Sequence, residues 1–291
     1  MPVYQFIIFL FILIPLSLPL YAGDGSAVRL WLLETGRGTT REAFTIEGGS
    51  LIQTYHLIYG AVLVQHGRDA FLFDSGLGRQ IDEQFDAEMP WWAAPLFRYE
   101  KGVSVFDQLK ADSTLPRPNR IYLSHSHWDH ASGLPDFPDL EVWVAREERN
   151  FILHSGPPRV FKSQTGLAST RWRFIPFEQK DFHGFHSSYD LYGDSSVVWV
   201  WMGGHTPGSV GMYVRAENGR RYFFPGDVVW NYDQITQNHE KAWLSRMLAD
   251  EDPEQVRRMI DVMHQWLQQD PALQIVPAHD QRIWQKVKSD E

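Results

Sequence analysis

The residues of this chain with the clearest capacity for chemistry are three histidines and an aspartate within six consecutive positions. They belong to the stretch His125-Ser126-His127-Trp128-Asp129-His130, which follows a short run, residues 119–124, that predicts a buried strand leaving a sheet. Side chains two positions apart on an extended backbone point to the same face, so the first two histidines project together. Imidazole nitrogens and carboxylate oxygens suit Zn²⁺ and similar divalent metals. The stretch therefore predicts a metal site rather than a histidine-rich polar loop.

Four more short motifs each place a polar side chain at the end of a predicted strand. Their aspartates, Asp74 and Asp227, could each cap a turn, which is the structural alternative to a role in a site. A histidine at the end of a strand beside a glycine, such as His205, is free to reach inward, but alone it does not indicate a ligand. The four motifs are Phe73-Asp74-Ser75-Gly76, Gly204-His205-Thr206-Pro207-Gly208-Ser209, Pro225-Gly226-Asp227 and Pro277-Ala278-His279-Asp280.

Apolar, β-branched runs predict the strands that must deliver these motifs. The clearest helix is predicted from Pro253 to Gln269, where Asp252 can cap the first turn and apolar residues recur at spacings of three and four. One face of this helix is therefore expected to pack on a sheet. The predicted strands lie at residues 28–33, 60–64, 69–73, 119–124, 140–144, 196–201, 209–214, 221–224 and 273–276.

The five motifs, taken in order, resemble the signature of the metallo-β-lactamase-fold hydrolase superfamily. The resemblance runs from residue 74 to residue 280. It implies an α/β fold, an αββα sandwich in a single domain, with metals at one edge between two mixed sheets. Within the superfamily the pattern is most similar to lactonases of the acyl-homoserine-lactone type.

The resemblance also implies a ligand set and a cofactor. Two Zn²⁺ ions per chain are expected, and the donor types alone leave iron or manganese open. Asp74 is expected to support the histidine stretch from behind without touching metal, and Asp129 and Asp227 are the expected catalytic residues. The expected ligands are His125, His127 and His205 for the first metal, Asp129, His130 and His279 for the second, and Asp227 between the two.

The chemistry implied is metal-assisted hydrolysis of an ester or lactone bond in a small molecule. Bound Zn²⁺ lowers the pKa of water from 15.7 to ~7, so hydroxide is available at neutral pH. Phosphotriesterase, thioesterase and β-lactamase activities remain alternatives, as do a mononuclear iron centre for sulfur oxidation and a binding module without catalysis. The chain has no cysteine, which disfavours β-lactamases with a cysteine ligand. Residues 280–291 are too few for the helical substrate domain of glyoxalase-type thioesterases.

One position departs from the lactonase pattern. Those enzymes commonly carry a tyrosine three residues after the bridging aspartate, where this chain has Trp230, and the nearest tyrosine is Tyr232. Together with Trp91, Trp92 and Phe97 of an insert rich in aromatic residues, these two residues are predicted to form an apolar wall for the substrate. Packing of the insert in the core is the alternative interpretation.

Composition limits the remaining possibilities. The chain has 291 residues, 43% of them hydrophobic, and no linker or repeat divides it, so one catalytic domain over residues 27–291 is expected. The net charge of −9 without any Lys/Arg run argues against a nucleic-acid partner. The sequence does not indicate an oligomeric state.

The N-terminus carries an apolar run at residues 6–14 that is followed by Pro15, Pro19 and Ala22. This pattern predicts a signal peptide over residues 1–22, cleaved before Gly23, and hence export to the periplasm or the exterior. Left uncleaved, the same segment is expected to anchor the protein to a membrane.

Overall fold

The structure, a computed structural model, describes residues 27–289. The predicted signal peptide and its cleavage site lie outside the described residues. Among the residues that are described, no helix combines the length and the apolar character needed to cross a membrane.

The first sheet is mixed and has seven strands in the order β4-β1-β2-β3-β5-β6-β7. The pairs β4–β1, β1–β2 and β2–β3 are antiparallel. The pairs β3–β5, β5–β6 and β6–β7 are parallel. The strands are β1 (Val28–Arg41), β2 (Thr54–His66), β3 (Asp69–Phe73), β4 (Glu100–Lys101), β5 (Arg120–Tyr122), β6 (Glu141–Val144) and β7 (Arg171–Phe174).

The second sheet has five strands in the order β12-β11-β10-β9-β8. Its pairs are antiparallel except for β11 and β12, which are parallel. The strands are β8 (Ser188–Asp190), β9 (Val197–Trp201), β10 (Val210–Arg215), β11 (Arg221–Phe224) and β12 (Leu273–Ile275).

Helices connect the strands and cover the outer faces of the sheets. Short 3₁₀ turns at Ala94–Leu96, Leu134–Asp136 and Gly226–Val228 accompany them. The α-helices are α1 (Glu42–Thr45), α2 (Ile81–Glu88), α3 (Val105–Ala111), α4 (Trp128–Ala131), α5 (Arg146–His154), α6 (Lys162–Thr165), α7 (Tyr232–Thr236), α8 (Trp243–Ala249), α9 (Pro253–Gln269) and α10 (Gln281–Ser289).

The inner faces of the two sheets share one apolar core. Trp199 of β9 stacks on Tyr122 of β5 with ring centroids 4.2 Å apart, and it also contacts Phe71 and Phe73 of β3. Burial of such large side chains is the main favourable term in holding the sheets together.

The outer faces carry helices, which completes the αββα layering. Helix α9 packs Ile260 and Met263 into a cluster with Phe223 of the second sheet, and α3 packs Leu109 into a cluster with Leu72 of the first sheet. Helix α9 has the bounds that the sequence predicted, and the side chain of its cap Asp252 accepts a hydrogen bond from the backbone of Gln255 at 2.9 Å.

The first hairpin differs from the prediction. Strands β1 and β2 extend past the predicted residues 28–33 and 60–64, to Arg41 and from Thr54 respectively. The added stretch of β1, residues 34–41, is polar and glycine-rich, so it lacks the apolar pattern of a core strand, and a register shift near Gly36 separates it from the regular pairing.

Candidate metal centre

Parallel strands β3 and β5 bring Asp74 and the histidine stretch to the same edge of the first sheet. Asp74 has φ of +64°, and its carboxylate accepts hydrogen bonds from the backbone N–H and the hydroxyl of Ser124 at 2.7 and 2.8 Å. The same carboxylate lies 2.8 Å from Nδ1 of His130. Asp74 therefore fixes the start of the histidine stretch and the ring of its last histidine, as expected of a group that orients a ligand.

The chain turns sharply inside this stretch. His127 is still extended (φ −63°, ψ 154°) and precedes α4, where the backbone N–H of His130 donates to the carbonyl of His127 at 3.0 Å. Trp128 packs in the apolar cluster that holds Tyr59 and anchors the turn. This one turn of helix brings Asp129 and His130 back toward the first two histidines.

The second sheet delivers His205 and His279, each oriented by a partner on Nδ1. Nδ1 of His205 lies 2.8 Å from a carboxylate oxygen of Asp250, and Nδ1 of His279 lies 2.8 Å from the carbonyl oxygen of Ile58. Both partners are acceptors, so each Nδ1 carries a proton, and Nε2 is the nitrogen that faces the cluster. Nε2 is therefore the atom that each ring can offer to a metal.

The predicted donors come together in three overlapping groups. Within each group the ligand atoms lie within 4.8 Å of one another. His125 and His130 each belong to two groups, so the whole set forms one cluster. The groups are His125 with His127 and His205, His125 with His130 and Asp227, and Asp129 with His130 and His279.

Several atoms of this cluster are buried without a hydrogen-bond partner. They are the Nε2 atoms of His125, His127 and His130 and one carboxylate oxygen of Asp227. In addition, Nε2 of His205 faces Nδ1 of His127 at 3.0 Å. Buried polar atoms without a partner are costly, and a metal ion satisfies several of them at once. The donor set fits divalent metal ions.

The half of the cluster made of imidazoles alone favours neutral rings. Burial, together with the neighbouring imidazoles, lowers the pKa of His125 and of His127 well below the usual value. Burial also lowers the pKa of His205, although the hydrogen bond to Asp250 opposes the shift. Neutral imidazoles at neutral pH are ready to bind metal.

The half that contains the carboxylates behaves in the opposite way. Burial disfavours a charged His279, yet the charge of Asp227 and hydrogen bonds to Asp129 and Asp227 outweigh it and raise the pKa of His279 to about 10. The same carboxylates, with Asp74, raise the pKa of His130 despite its burial. In the absence of a cation, protons supply the positive charge that this half of the cluster attracts.

A buried glutamate joins the two loops that carry the first group of donors. One carboxylate oxygen of Glu148 on α5 accepts from the N–H and hydroxyl of Ser126 at 2.7 and 2.6 Å. The other accepts from the hydroxyl of Thr206 at 2.6 Å and from the N–H of Gly208 at 3.2 Å. Burial raises the pKa of Glu148, and these hydrogen bonds oppose the shift.

A buried ion pair stands behind His205. Nζ of Lys241 lies 2.7 Å from the Asp250 carboxylate, and both side chains are fully buried. Lys241 also donates to the carbonyl of Val228 at 3.1 Å. Because Asp250 holds Nδ1 of His205, the lysine neutralises the carboxylate that sets the tautomer of this ring.

Glu148, Asp250 and Lys241 are functional residues that were not predicted from the sequence. For Glu148 a signal existed, because an acidic residue shares the buried face of α5 with Phe151 and Ile152 at spacings of three and four. No comparable pattern marks Asp250 or Lys241, whose pairing depends on the path of an irregular loop.

A cavity of about 470 Å³ opens over the donor cluster. Arg41 and Arg159 contribute the cationic groups of its lining. Tyr59, a lining residue that was not predicted from the sequence, lies beside His279 with ring centroids 5.2 Å apart. Five donors form its floor, namely His127, Asp129, His205, Asp227 and His279. The apolar part of the lining includes Phe44, Leu57, Leu96, Phe97, Trp128, Trp230, Leu244 and Leu248.

The chain matches a known protein family over most of its length. A family model described as the metallo-beta-lactamase superfamily matches residues 60–279, most of the chain. The chain belongs to the metallo-β-lactamase superfamily. The resemblance drawn from the five motifs is thereby confirmed, together with the α/β fold of two sheets in a single domain.

Curated relatives include lactonases. The N-acyl homoserine lactonase AttM of Rhizobium radiobacter is 25% identical over 196 residues, 65% of this chain and 68% of the relative. The AttM protein of Azorhizobium caulinodans is 23% identical over 238 residues, 78% of this chain and 83% of the relative. Ribonuclease Z of Treponema pallidum is 30% identical, but over 118 residues that cover 40% of this chain and 29% of that enzyme.

Solved structures of lactonases share the fold. B. thuringiensis AiiA, in a mutant with N-decanoyl-L-homoserine bound at its active site, has a TM-score of 0.69 at 17% identity and covers 91% of this chain and 96% of its own. AidC, a dizinc quorum-quenching lactonase in complex with a product, has a TM-score of 0.60 at 15% identity, covering 88% of each chain. These matches show that the chain shares the fold of these proteins.

The structure revises the predicted aromatic wall. Phe97 and Trp230 line the cavity, whereas Trp91, Trp92 and Tyr232 do not. Trp91 and Trp92 face solvent because the turn that follows them places only its later residues over the cavity. Tyr232 begins α7 and packs in the cluster around α9, on the far side of the Asp227 turn.

Proposed function

We propose that this chain hydrolyses an ester or lactone bond of a small molecule at a pair of zinc ions. The observation that carries the proposal is the central position of Asp227. Its carboxylate oxygens lie 3.1 Å from Nε2 of His279, 3.2 Å from Nε2 of His130 and 3.7 Å from Nε2 of His205. One carboxylate thus approaches donors from both halves of the cluster, which is the placement that a bridging ligand requires.

The donor residues divide into two sets of metal ligands around the Asp227 carboxylate. When bound, the zinc ions supply a water of lowered pKa and polarise the scissile carbonyl. Iron and manganese accept similar donors and are the alternatives to zinc. We assign His125, His127 and His205 to the first ion, Asp129, His130 and His279 to the second, and Asp227 to both.

The protein groups around the cluster orient these ligands. Asp250 and Asp74 hold the rings of His205 and His130 through Nδ1, which aims each Nε2 at the cluster. Nε1 of Trp230 donates to Asp227 at 2.9 Å and restricts the rotation of that carboxylate. Asp129 faces the cavity, and we assign it the proton that the attacking water gives up.

The cavity supports an amphiphilic lactone as substrate. Its apolar wall suits an acyl chain, and Arg41 and Arg159 suit the polar groups of such a molecule. Lactonases named for N-acyl homoserine lactones are among the relatives, and a product of that class binds AidC. We therefore propose N-acyl lactones as the first substrates to test.

The test begins with metal-free protein. Zinc is titrated in while hydrolysis of lactones, aryl esters, thioesters, phosphotriesters and β-lactams is followed, and bound metal is measured by elemental analysis. We expect lactone or ester hydrolysis that rises until two zinc ions are bound per chain. Hydrolysis confined to another substrate class, or a single iron that supports oxygen uptake, would replace this assignment.

A further inference from the structure

A buried lysine lies between the loop that carries His205 and the turn that carries Asp227. Lys241 precedes α8, and its side chain is fully buried. The ammonium of a lysine has three N–H donors and no acceptor. Here Nζ donates to the Asp250 carboxylate at 2.7 Å and to the carbonyl of Val228 at 3.1 Å. A buried charge is stable only with such contacts, so they fix the place of the ammonium.

The contact with Asp250 connects the lysine to His205. Oδ1 of Asp250 accepts from Nζ of Lys241 and also from Nδ1 of His205, at 2.8 Å. The other carboxylate oxygen of Asp250 is buried and has no hydrogen-bond partner among the described residues. Lys241 therefore supplies the opposite charge for this carboxylate, and through it the lysine supports the imidazole half of the cluster.

Two further contacts connect the same ammonium to Asp227. Val228 follows Asp227 in the 3₁₀ turn Gly226–Val228, so the hydrogen bond from Lys241 holds the backbone of the turn that presents this carboxylate. Nζ also lies over the ring of Trp230, 5.1 Å from its centroid, which is within the range of a cation–π contact. Nε1 of that ring donates to Asp227 at 2.9 Å. The lysine thus holds the indole where its N–H reaches the carboxylate.

We propose that Lys241 is a positioning residue for Asp227 as well as for His205, so that one buried ammonium orients ligands of both zinc ions. The inference rests on the proposed function, in which Asp227 binds both ions and His205 binds the first. Glu148, by contrast, contacts the two loops of the imidazole half.

The test begins with the metal-free full chain. Removal of the lysine alone would leave the Asp250 carboxylate without an opposite charge, so the neutral pair Lys241→Met/Asp250→Asn is used, in which the introduced amide oxygen still accepts from His205. The N–H resonance of the Trp230 indole, identified by its loss in Trp230→Phe, is expected to shift in the pair variant. Lys286→Met removes an exposed lysine of α10 and, as the matched control, should leave this resonance unchanged.

Zinc affinity supplies the second measurement. In competition with a chelator, the pair variant is expected to bind the first ion about tenfold more weakly, as for other residues that orient a ligand. The second ion should bind about fivefold more weakly, on the scale of one cation–π contact. Adding Trp230→Phe should lower second-site affinity less in the pair variant than in the wild type, because both changes act through the same ring.

Either of two results would confine Lys241 to the support of His205 and overturn the inference. One is an unshifted Trp230 resonance, and the other is an unchanged second-site affinity. Full additivity of Trp230→Phe with the pair variant would also overturn it, since the two residues would then act separately. A wild-type chain that binds fewer than two zinc ions would refute the proposed function instead, and the Trp230 resonance of the metal-free protein would still decide the inference.

A second variant keeps the inference testable if the pair variant does not fold, which a missing thermal transition would reveal. Lys241→Gln/Asp250→Asn keeps an N–H donor for the Val228 carbonyl and removes the charge over the ring. It is expected to shift the Trp230 resonance and to weaken the second site in the same way. A wild-type resonance together with a wild-type second site in this variant would contradict the role of the ammonium.

Discussion

The two halves of the donor cluster differ in how they are charged before any metal arrives. Around His125, His127 and His205, burial drives the rings to the neutral form, with pKa values below the usual one. Around His130 and His279, carboxylates overcome the effect of burial and raise the pKa values. One half is ready for a cation, and the other holds protons that a cation must displace.

This difference indicates two kinds of support. The imidazole half is shaped by groups outside it, namely Glu148 between its loops and the Lys241–Asp250 pair behind His205. The carboxylate half contains its own opposite charges. Loss of an outside supporting residue should therefore weaken metal binding more in the first half than in the second, which should respond more strongly to pH and to its own carboxylates.

The largest effect is expected from His127→Ala. This residue is in the imidazole half, and no spare nitrogen stands nearby to replace it. The variant should lose most bound metal and essentially all hydrolysis, as measured by elemental analysis and initial rates. His186→Ala, at an exposed histidine outside the cluster, is the control. Near-normal activity of His127→Ala would contradict the assigned metal chemistry.

Asp227→Asn should remove the group that approaches both halves. A neutral amide offers one good oxygen donor where the carboxylate offers two, so the second ion should be lost before the first. We expect kcat to fall by a factor on the order of a hundred, with a metal content near one per chain. Asp86→Asn, on an exposed face of α2, should keep both ions. An unchanged metal count in Asp227→Asn would return Asp227 to a turn-capping role.

Glu148→Gln tests the support of the imidazole half. The amide replaces one acceptor oxygen by a donor that faces N–H and hydroxyl groups, so one loop loses its hydrogen bonds. First-site affinity is expected to fall about tenfold to a hundredfold, with the second site less affected. Competition with a chelator measures both affinities, and the neighbouring exposed Glu147→Gln serves as control. Equal losses at the two sites would show a general loss of structure.

The thermal stability of the metal-free protein should depend on pH because of the carboxylate half of the cluster. The pKa of His279 is raised from 6.5 to about 10, so its contribution to stability is complete below pH 6.5 and is lost as pH rises toward 10. Thermal melts in the presence of a chelator should therefore show a Tm that falls by several degrees between these pH values. Asp227→Asn should flatten this dependence, because it removes the charge that raises the pKa. A steep pH dependence retained in that variant would contradict the assigned cause.

The difference between the halves also explains what the sequence could reveal. The spacing inside the histidine stretch points to His125, and the resemblance to the family points to His205 and Asp227, and the structure brings the three together. Asp250 meets His205 only after folding, so spacing does not point to it, and the one signal for Glu148 was its place on the buried face of α5.

The cavity wall shows the same limit. Whether an aromatic residue such as Trp91 or Tyr232 faces the cavity depends on the path of an irregular turn or on which side of a helix start it falls. An aromatic residue looks the same in the sequence whether it faces the cavity or not. The fold and the grouping of the donors could therefore be predicted from the motifs and the family resemblance, whereas three of the five predicted wall residues do not line the cavity.

The smallest effect is expected from Trp230→Phe, which separates the two roles of this residue. The ring that lines the cavity is kept, while the hydrogen bond from Nε1 to Asp227 at 2.9 Å is lost. Because the bond is to a charged group in a partly buried place, its loss should weaken the second site by about tenfold or less and leave the first unchanged. KM for long-chain substrates should stay near its original value, whereas Phe97→Ala, which trims the wall alone, should raise KM without changing metal affinity. Zinc titration measures the metal affinity of each variant, and assays across a series of acyl-chain lengths measure the KM of each. If Trp230→Phe changed KM and left second-site affinity intact, Trp230 would belong to the wall alone.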